Sequence, residues 1–292
     1  RVLQKGERLI MVTDKKRNLA AKILIFIILS IFSIFCVAPF FFLLVSSFKP
    51  GSEMIRNGIS LNPHFELWNL NNYKLLYTAR DGIYLYWYRN SLIITLLYTV
   101  LSLFFTSMVG YGLAVYDFKG KRLIFIIVLI VMMVPVEILI LPLYKLSISL
   151  KLIDKYLGAI LPSLVSPFAV FFFRQYAVGL PKDFIDAGRI DGCSEIGIYF
   201  RIMMPLMKPA FGAMTILQAM TSWNSFVWPL IVLRSDNMLT LPIGLQALIT
   251  PYGNNYDLLL AGAVMSVVPI VILFLFNQKS FISGLTIGGV KG

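Results

Sequence analysis

Long uninterrupted runs of apolar residues, separated by short clusters rich in Lys, Arg, Asp, Gly and Pro, set the pattern of the chain. A helix on the surface of a soluble protein changes from apolar to polar every three or four residues, whereas a bilayer span needs about 20 residues that are apolar all round. Six segments fit the second description: about 20–47, 90–115, 123–143, 157–173, 209–232 and 258–276. Pro162 and Pro167 interrupt the fourth, which membrane helices tolerate where neighbours satisfy the freed carbonyls. The pattern predicts an all-α integral membrane protein with six transmembrane helices.

Composition agrees with that picture: 58% of the 292 residues are hydrophobic, only 14% are charged, and the mean hydropathy is +0.81. A soluble core could not use so much apolar surface, but a lipid-facing one could. The formal charge of +12 changes the picture in one respect, which is orientation. Seven Lys or Arg stand in the first 22 residues (Arg1, Lys5, Arg8, Lys15, Lys16, Arg17 and Lys22), placing the N-terminus in the cytoplasm by the positive-inside rule. Six spans then return the C-terminus to the same side. On that topology 17 of the 26 basic residues lie on cytoplasmic segments, so the excess charge is explained by the membrane and needs no nucleic acid.

The organisation read from these signals is a cytoplasmic N-terminal segment (1–22), a transmembrane domain (23–281) and a cytoplasmic tail (282–292). Within the domain, 48–89 is an external segment and 174–208 a cytoplasmic loop. The first apolar stretch is too long for the core of a cleaved signal and is expected to remain as a span. Cys36 falls in a span and Cys193 in the cytoplasmic loop, so both are expected to be packing residues without a disulfide. The external segment carries Trp68, Tyr73, Tyr77, Tyr84, Tyr86, Trp87 and Tyr88, which fit an interfacial aromatic belt with a short amphipathic helix. No enzyme emerges. There is a single His (His64), no cluster of metal ligands, and no Gly-x-x-x-x-Gly-Lys-Ser/Thr loop for ATP phosphates. No cofactor is expected on this chain.

The loop at 174–208 is the one long polar interruption. Its run from Leu180 to Gly192 opens with Pro181 and the acids Asp183 and Asp186, which are helix-start signals. Gly192 supplies a stop, Ser194 and Glu195 can cap a second helix through Tyr199 to Met203, and Pro205 is expected to end it. The predicted unit is helix, elbow, helix. On the first helix Phe184, Ala187, Gly188 and Asp191 fall at three- and four-residue spacing and share a face that is shallow at its centre. A Gly inside a helix costs about 0.5–1 kcal/mol relative to Ala, so something must approach it closely. That neighbour is either a partner protein or the membrane domain itself, and spacing does not choose between them.

The run Asp186-Ala187-Gly188-Arg189-Ile190-Asp191-Gly192, with Pro205 thirteen residues after Gly192, resembles the EAA loop of ABC importer permeases. It differs in having Asp186 for the usual Glu, Gly188 for the second Ala, and Cys193 after the Gly. The stretches Ser222-Trp223-Asn224-Ser225-Phe226-Val227-Trp228-Pro229-Leu230 and Gly284 to Gly292 are similar to those of carbohydrate-importer permeases, the second membrane subunit of the maltose importer among them. The resemblance implies a type I ABC importer permease paired with a second homologous permease, two cytoplasmic ATPase subunits that bind the ATP, and an extracellular solute-binding protein that delivers a sugar, oligosaccharide or polyol. It implies a place in a bacterial or archaeal cell membrane. Phe184, Asp186, Ala187, Gly188, Asp191, Gly192 and Pro205 would then shape the contact with the ATPase, and the tail residues Gly288, Gly289 and Lys291 would reach between the ATPases.

Four further residues are candidates for a substrate pathway. Glu137 is an ionisable group inside a predicted span, where charge is costly and functional by default, although pairing with Lys145 or external water would also account for it. Trp223, Asn224 and Trp228 suit a sugar, because rings stack on pyranose faces and an amide bonds hydroxyls in both directions. Interfacial anchoring and helix packing would explain them more simply. A permease for a non-sugar solute and an ion-coupled secondary transporter are the competing readings; the second requires ionisable groups at mid-membrane and broken repeated helices, neither of which is clear here.

Overall fold

The computed structural model describes residues 2–58, 64–249 and 255–289, and no strand occurs among them. Fifteen helices follow one another: α1 (Val2–Ser47), α2 (Gly51–Asn57), α3 (Asn71–Thr78), α4 (Ile83–Val115), α5 (Lys121–Met132), α6 (Ile140–Ser149), α7 (Tyr156–Ile160), α8 (Pro167–Val178), α9 (Asp183–Ile190), α10 (Glu195–Ile198), α11 (Met204–Leu206), α12 (Lys208–Trp223), α13 (Val227–Val232), α14 (Leu241–Gln246) and α15 (Tyr256–Gly289). The centre is a bundle in which α4 packs on α8 and α12, and α12 on α15. The most apolar 18-residue window of Ala21–Ser47 in α1 has none of its residues buried, Val45, Ser46 and Ser47 at the end of the helix are buried, and α1 touches the rest chiefly along α15.

Helices in lipid gain nothing from hiding apolar surface, so they associate where small residues let backbones approach. On α4 the inward positions include Ser91, Ser102, Thr106, Ser107 and Gly110, all buried. A Cβ at Gly110 would stand 2.7 Å from the Phe173 Cβ and 2.9 Å from the Arg174 backbone nitrogen, so α4 and α8 require Gly there. Gln218 of α12 donates to the Ser102 hydroxyl at 2.7 Å, joining the third helix by a buried polar pair.

The predicted spans are present to different degrees. Three helical stretches are long and apolar enough to cross a bilayer, ending in or comprising α1, α4 and α15, and two bent pairs bring the number to five if each is one span. In the predicted third span the helix stops at Met132 and resumes after Pro135 with a 97° bend, because Pro offers no N–H and pushes the residue before it out of the helical region. The predicted fourth is bent by 51° around Pro162 and Pro167, with the Ser166 hydroxyl accepting from the Ala169 N–H as cap. The predicted fifth shrinks to α12, whose 16 residues span about 24 Å against about 30 Å of hydrocarbon. It ends at Asn224, and Val227 starts α13 as a separate piece. The apolar segments of the sequence reading are therefore long helices interleaved with broken ones.

The aromatic segment before α4 is not a simple interfacial belt. Tyr84 and Trp87 are each only 2% exposed and pack against Trp223, Leu241 and Leu258. The Tyr84 hydroxyl donates to the Gly262 carbonyl at 2.9 Å and the Trp87 indole N–H to the Asp236 carbonyl at 2.9 Å. Phe48, Trp68 and Tyr73 form a second aromatic group, with Phe48 stacked on Trp68 at 5.3 Å. Cys36 is exposed on α1 and makes no packing contact expected of it, whereas Cys193 rests against the cluster of Ile185, Ile198 and Met203.

Candidate functional site

The region 174–208 folds into the predicted helix, elbow and helix, with local geometry that the sequence specifies. Lys182 is the N-cap of α9, so Pro181 precedes the helix instead of opening it, and Asp183 and Asp186 lie in the first turn where the helix dipole favours acids. After Asp191 the chain closes on itself: the Gly192 N–H donates to the Arg189 carbonyl at 3.1 Å, and the Cys193 N–H to the Gly188 carbonyl at 2.9 Å. That pair of bonds is a Schellman motif, and Gly192 supplies its left-handed residue with φ +74°. No atom lies within 4 Å of the place a Gly192 Cβ would occupy, so the demand for Gly is one of backbone conformation and not of space. Ser194 then caps α10, its hydroxyl accepting from the Gly197 N–H at 3.1 Å.

Pro205 does not end the second limb. The chain widens into a π-helical turn over Tyr199–Met203 and continues through α11, which contains Pro205, into α12. A wider turn immediately before the proline moves the carbonyls that its ring would strike and that its missing N–H cannot bond. The second limb is thereby almost continuous with α12.

The face proposed for α9 divides in two. Gly188 is buried, and a Cβ on it would stand 2.7 Å from Ile202 Cδ1 and 3.1 Å from Ile198 Cγ1, so its close neighbour is the second limb of the same loop. Ile185 is buried beside it. Phe184, Asp186, Ala187 and Asp191 point outward, as do Ile190, 86% exposed, and Ile196, 69% exposed. Exposed isoleucines on a polar loop are a surface awaiting a partner.

Three residues hold the elbow through a clamp that sequence reasoning did not foresee, although it named Glu195 as a cap and Arg189 within the motif. Arg189 Nε donates to Glu195 Oε1 at 2.8 Å and a second guanidinium nitrogen to Oε2 at 3.3 Å, a two-pronged bond across Gly192. The Tyr116 hydroxyl, just past the end of α4, donates to Glu195 Oε2 at 2.7 Å. The Arg189 guanidinium first, and the Tyr116 hydroxyl second, hold the Glu195 carboxyl below its usual range. Burial, then the bond to Glu195, pushes the Tyr116 phenol up. Above this clamp, Ser107 of α4 and the Tyr199 hydroxyl share a hydrogen bond of 2.6 Å. A Glu six residues after an Arg across a Gly was the available signal for the first pair; nothing local announces Tyr116.

At the far ends of α4 and α12 lies a cavity of about 350 Å³. Glu137 and Trp228 line it, as do Tyr98, Thr221, Ser222 and Thr240. The Thr240 hydroxyl is buried without a hydrogen-bond partner. Trp223 and Asn224 are elsewhere, on a separate pocket of about 260 Å³ with Ser266 and Gln246. The Trp223 indole N–H donates to the Ser266 carbonyl at 3.1 Å, and the Asn224 amide donates back to the Met220 carbonyl at 3.0 Å, so both are occupied in packing and helix termination. Trp228 also spends its indole N–H, on the Gly158 carbonyl at 2.9 Å, but keeps its ring in the cavity. Gly288 and Gly289 end α15 as helix; Lys291 lies outside the described residues. Among the described residues no three His, Cys, Asp or Glu gather to hold a metal.

Two helices thus connect the elbow to the cavity, in the manner of a membrane transport subunit. The chain belongs to the family of binding-protein-dependent transport system inner membrane components, whose model matches residues 106–281. It is 59% identical to the arabinooligosaccharides transport system permease protein AraQ of Bacillus subtilis over 92% of this chain and 94% of that one. It is 58% identical to the protein of the same name in Halalkalibacterium halodurans, over 88% and 91%. The maltodextrin transport system permease protein MdxG of Bacillus subtilis is 32% identical over 93% and 96%. In fold it matches a chain of a bacterial ABC transporter involved in the import of the acidic polysaccharide alginate, with a TM-score of 0.76 at 23% identity over 87% and 93% of the two chains. The chain is a multi-pass membrane permease subunit of an ABC importer, a transport component and not an enzyme.

Proposed function

We propose that this permease passes arabino-oligosaccharides, and that its elbow at 174–208 is where ATP hydrolysis on other subunits is converted into movement of α4 and α12. The relatives near 60% identity carry arabinooligosaccharides in their names, and more distant ones carry maltodextrin or lactose, so the carbohydrate class extends across the group. The working assembly is this chain with a second homologous permease, two cytoplasmic ATPase subunits that hold the ATP, and an extracellular solute-binding protein. In a bacterial or archaeal cell membrane both termini, 1–22 and 282–292, face the cytoplasm with the elbow, and 48–89 faces outside.

The observation that carries the coupling reading is the locked elbow itself. The Schellman bonds and the Arg189–Glu195 pair make α9 and α10 one body, and that body presents Phe184, Ala187, Ile190 and Asp191 outward. Displacing it moves α4 through Tyr116 and α12 through the continuous second limb. The other ends of these helices carry Tyr98, Thr221 and Ser222 on the cavity where Glu137 and Trp228 stand, so the sugar path changes shape with the ATPase. Gly188 and Gly192 act by shaping the elbow, Pro205 by joining it to α12, and Gly288, Gly289 and Lys291 add a tail contact to the ATPases. Trp223 and Asn224 belong to the wall behind the path.

The test is ATP hydrolysis by the assembled complex in liposomes, with the binding protein loaded with arabino-oligosaccharide or with maltodextrin. Stimulation by the first and not the second is expected. Stimulation by maltodextrin alone would reassign the sugar, and stimulation by neither would remove the carbohydrate reading.

A further inference from the structure

Away from both regions, three cations meet at the turn between α4 and α5. Lys121, Arg122 and Arg174 line an open depression of about 620 Å³ together with Phe118, Leu123 and Phe125. Lys121 and Arg122 open α5, and Arg174 reaches across from α8. Among the described residues only Lys121 of the three has a counter-ion, Asp117 at 3.0 Å, and that carboxylate is 91% exposed. Arg122 and Arg174 make no ion pair or hydrogen bond with any described residue. The Arg174 guanidinium lies over the Phe125 ring at 3.7 Å, and its Nε is buried without an acceptor.

A guanidinium laid on a ring has its fork already aimed, and that fork matches a pair of phosphate oxygens. The surface continuing from it is apolar: Leu123, Ile126, Ile127 and Ile130 of α5 are all exposed. Cations at the end of a lipid-facing helix stand at headgroup depth, with acyl chains alongside the helix. An acidic protein segment would satisfy the charges but would leave this apolar track uncovered.

We propose that the depression binds the phosphate of an anionic phospholipid, with Arg122 and Arg174 as its direct ligands, Lys121 as a third cation, and the exposed face of α5 as the bed for an acyl chain.

Native mass spectrometry of the assembled transporter, equilibrated in mixed micelles with equal amounts of phosphatidylglycerol and phosphatidylcholine, reads the lipid retained per complex. Wild type should retain phosphatidylglycerol preferentially, and R122Q/R174Q should lower that retention roughly tenfold. R122K/R174K should keep much of it, and K151Q/K155Q, in the loop after α6, should change nothing. Equal retention of the two lipids by the wild-type complex would overturn the proposal without reference to any variant. Displacement of the lipid by millimolar inorganic phosphate would assign the site to free phosphate instead. Loss of another subunit from R122Q/R174Q with phosphatidylglycerol retention unchanged would assign the cations to a protein partner.

Discussion

The elbow and the cavity end of this permease are both built around polar side chains, but they are held in opposite ways. In the elbow most of the bonds are local and exposed, Arg189 to Glu195, Gly197 to Ser194 and Gly192 to Arg189, with Tyr116 to Glu195 the long-range exception. At the cavity end they join residues far apart in the chain, and those of Asn90 and Ser91 are wholly or partly buried. Asn90, with no exposed surface, donates to the Asn237 and Leu239 carbonyls at 2.8 and 2.9 Å and accepts from the Tyr156 hydroxyl at 2.6 Å. Ser91 accepts from the Leu241 N–H at 2.8 Å, and Asp154 binds the backbone of Arg234 and the hydroxyl of Ser235. The difference teaches that a part which must move as a unit can be made rigid by its own few residues, while a wall that must stay in place borrows its rigidity from several helices.

That contrast can be broken most sharply at Gly192. Gly192→Val forces a branched residue to φ +74°, a strain of about 1–2 kcal/mol, and re-aims both limbs. Normal membrane abundance with nearly complete loss of substrate-stimulated ATP hydrolysis is expected; wild-type transport by this variant would end the coupling reading. Gly192→Asn, which tolerates the left-handed region, should retain most activity.

Gly188→Leu comes next. The larger side chain must displace Ile198 and Ile202, an overpacking cost of about 1–3 kcal/mol, and should weaken co-purification of the ATPase subunits. Gly188→Ala meets Ile202 Cδ1 at 2.7 Å and Ile198 Cγ1 at 3.1 Å, side-chain atoms that can give, and should be milder.

The cavity end should fail differently. Asn90→Leu leaves the Asn237 and Leu239 carbonyls and the Tyr156 hydroxyl, all only partly shielded from solvent, without their partner, at up to about 1–3 kcal/mol per group, and should lower the unfolding temperature while ATPase binding persists. Equal loss of ATPase binding would erase the distinction between the two regions.

The smallest effect is expected from acid. The Glu195 pKa is depressed in the folded loop, so its contribution is complete above the ordinary Glu range and is lost as pH falls through the depressed value. Hydrogen exchange of α9 and α10 amides, relative to a reference peptide, should speed up across that window in wild type and stay flat in Glu195→Gln.

Legibility in the sequence follows the same division. Gly192, Ser194 and the acids of α9 act within a few residues, so the elbow was readable from spacing and capping chemistry. Gly188 announced a close approach but not by what, because helix spacing names a face and not its neighbour. Hydropathy located the apolar segments but treated Met132–Pro135 and Trp223–Phe226 as passable, although proline and a turn interrupt the backbone at each. Trp223, Asn224 and Trp228 have the chemistry of a sugar site, and only the tertiary fold, which sets Trp228 on the cavity and Trp223 and Asn224 on another pocket, separates path from wall. Tyr84 and Trp87 read as interfacial for the same reason: composition cannot tell a ring facing lipid from one closed over by α14 and α15.

The apolar half of α1 touches so little of its own chain that it answers to few specific neighbours. Its sequence is therefore free to drift, provided that length and oiliness are kept, whereas each inward Ser or Gly of α4 is fixed by the backbone opposite.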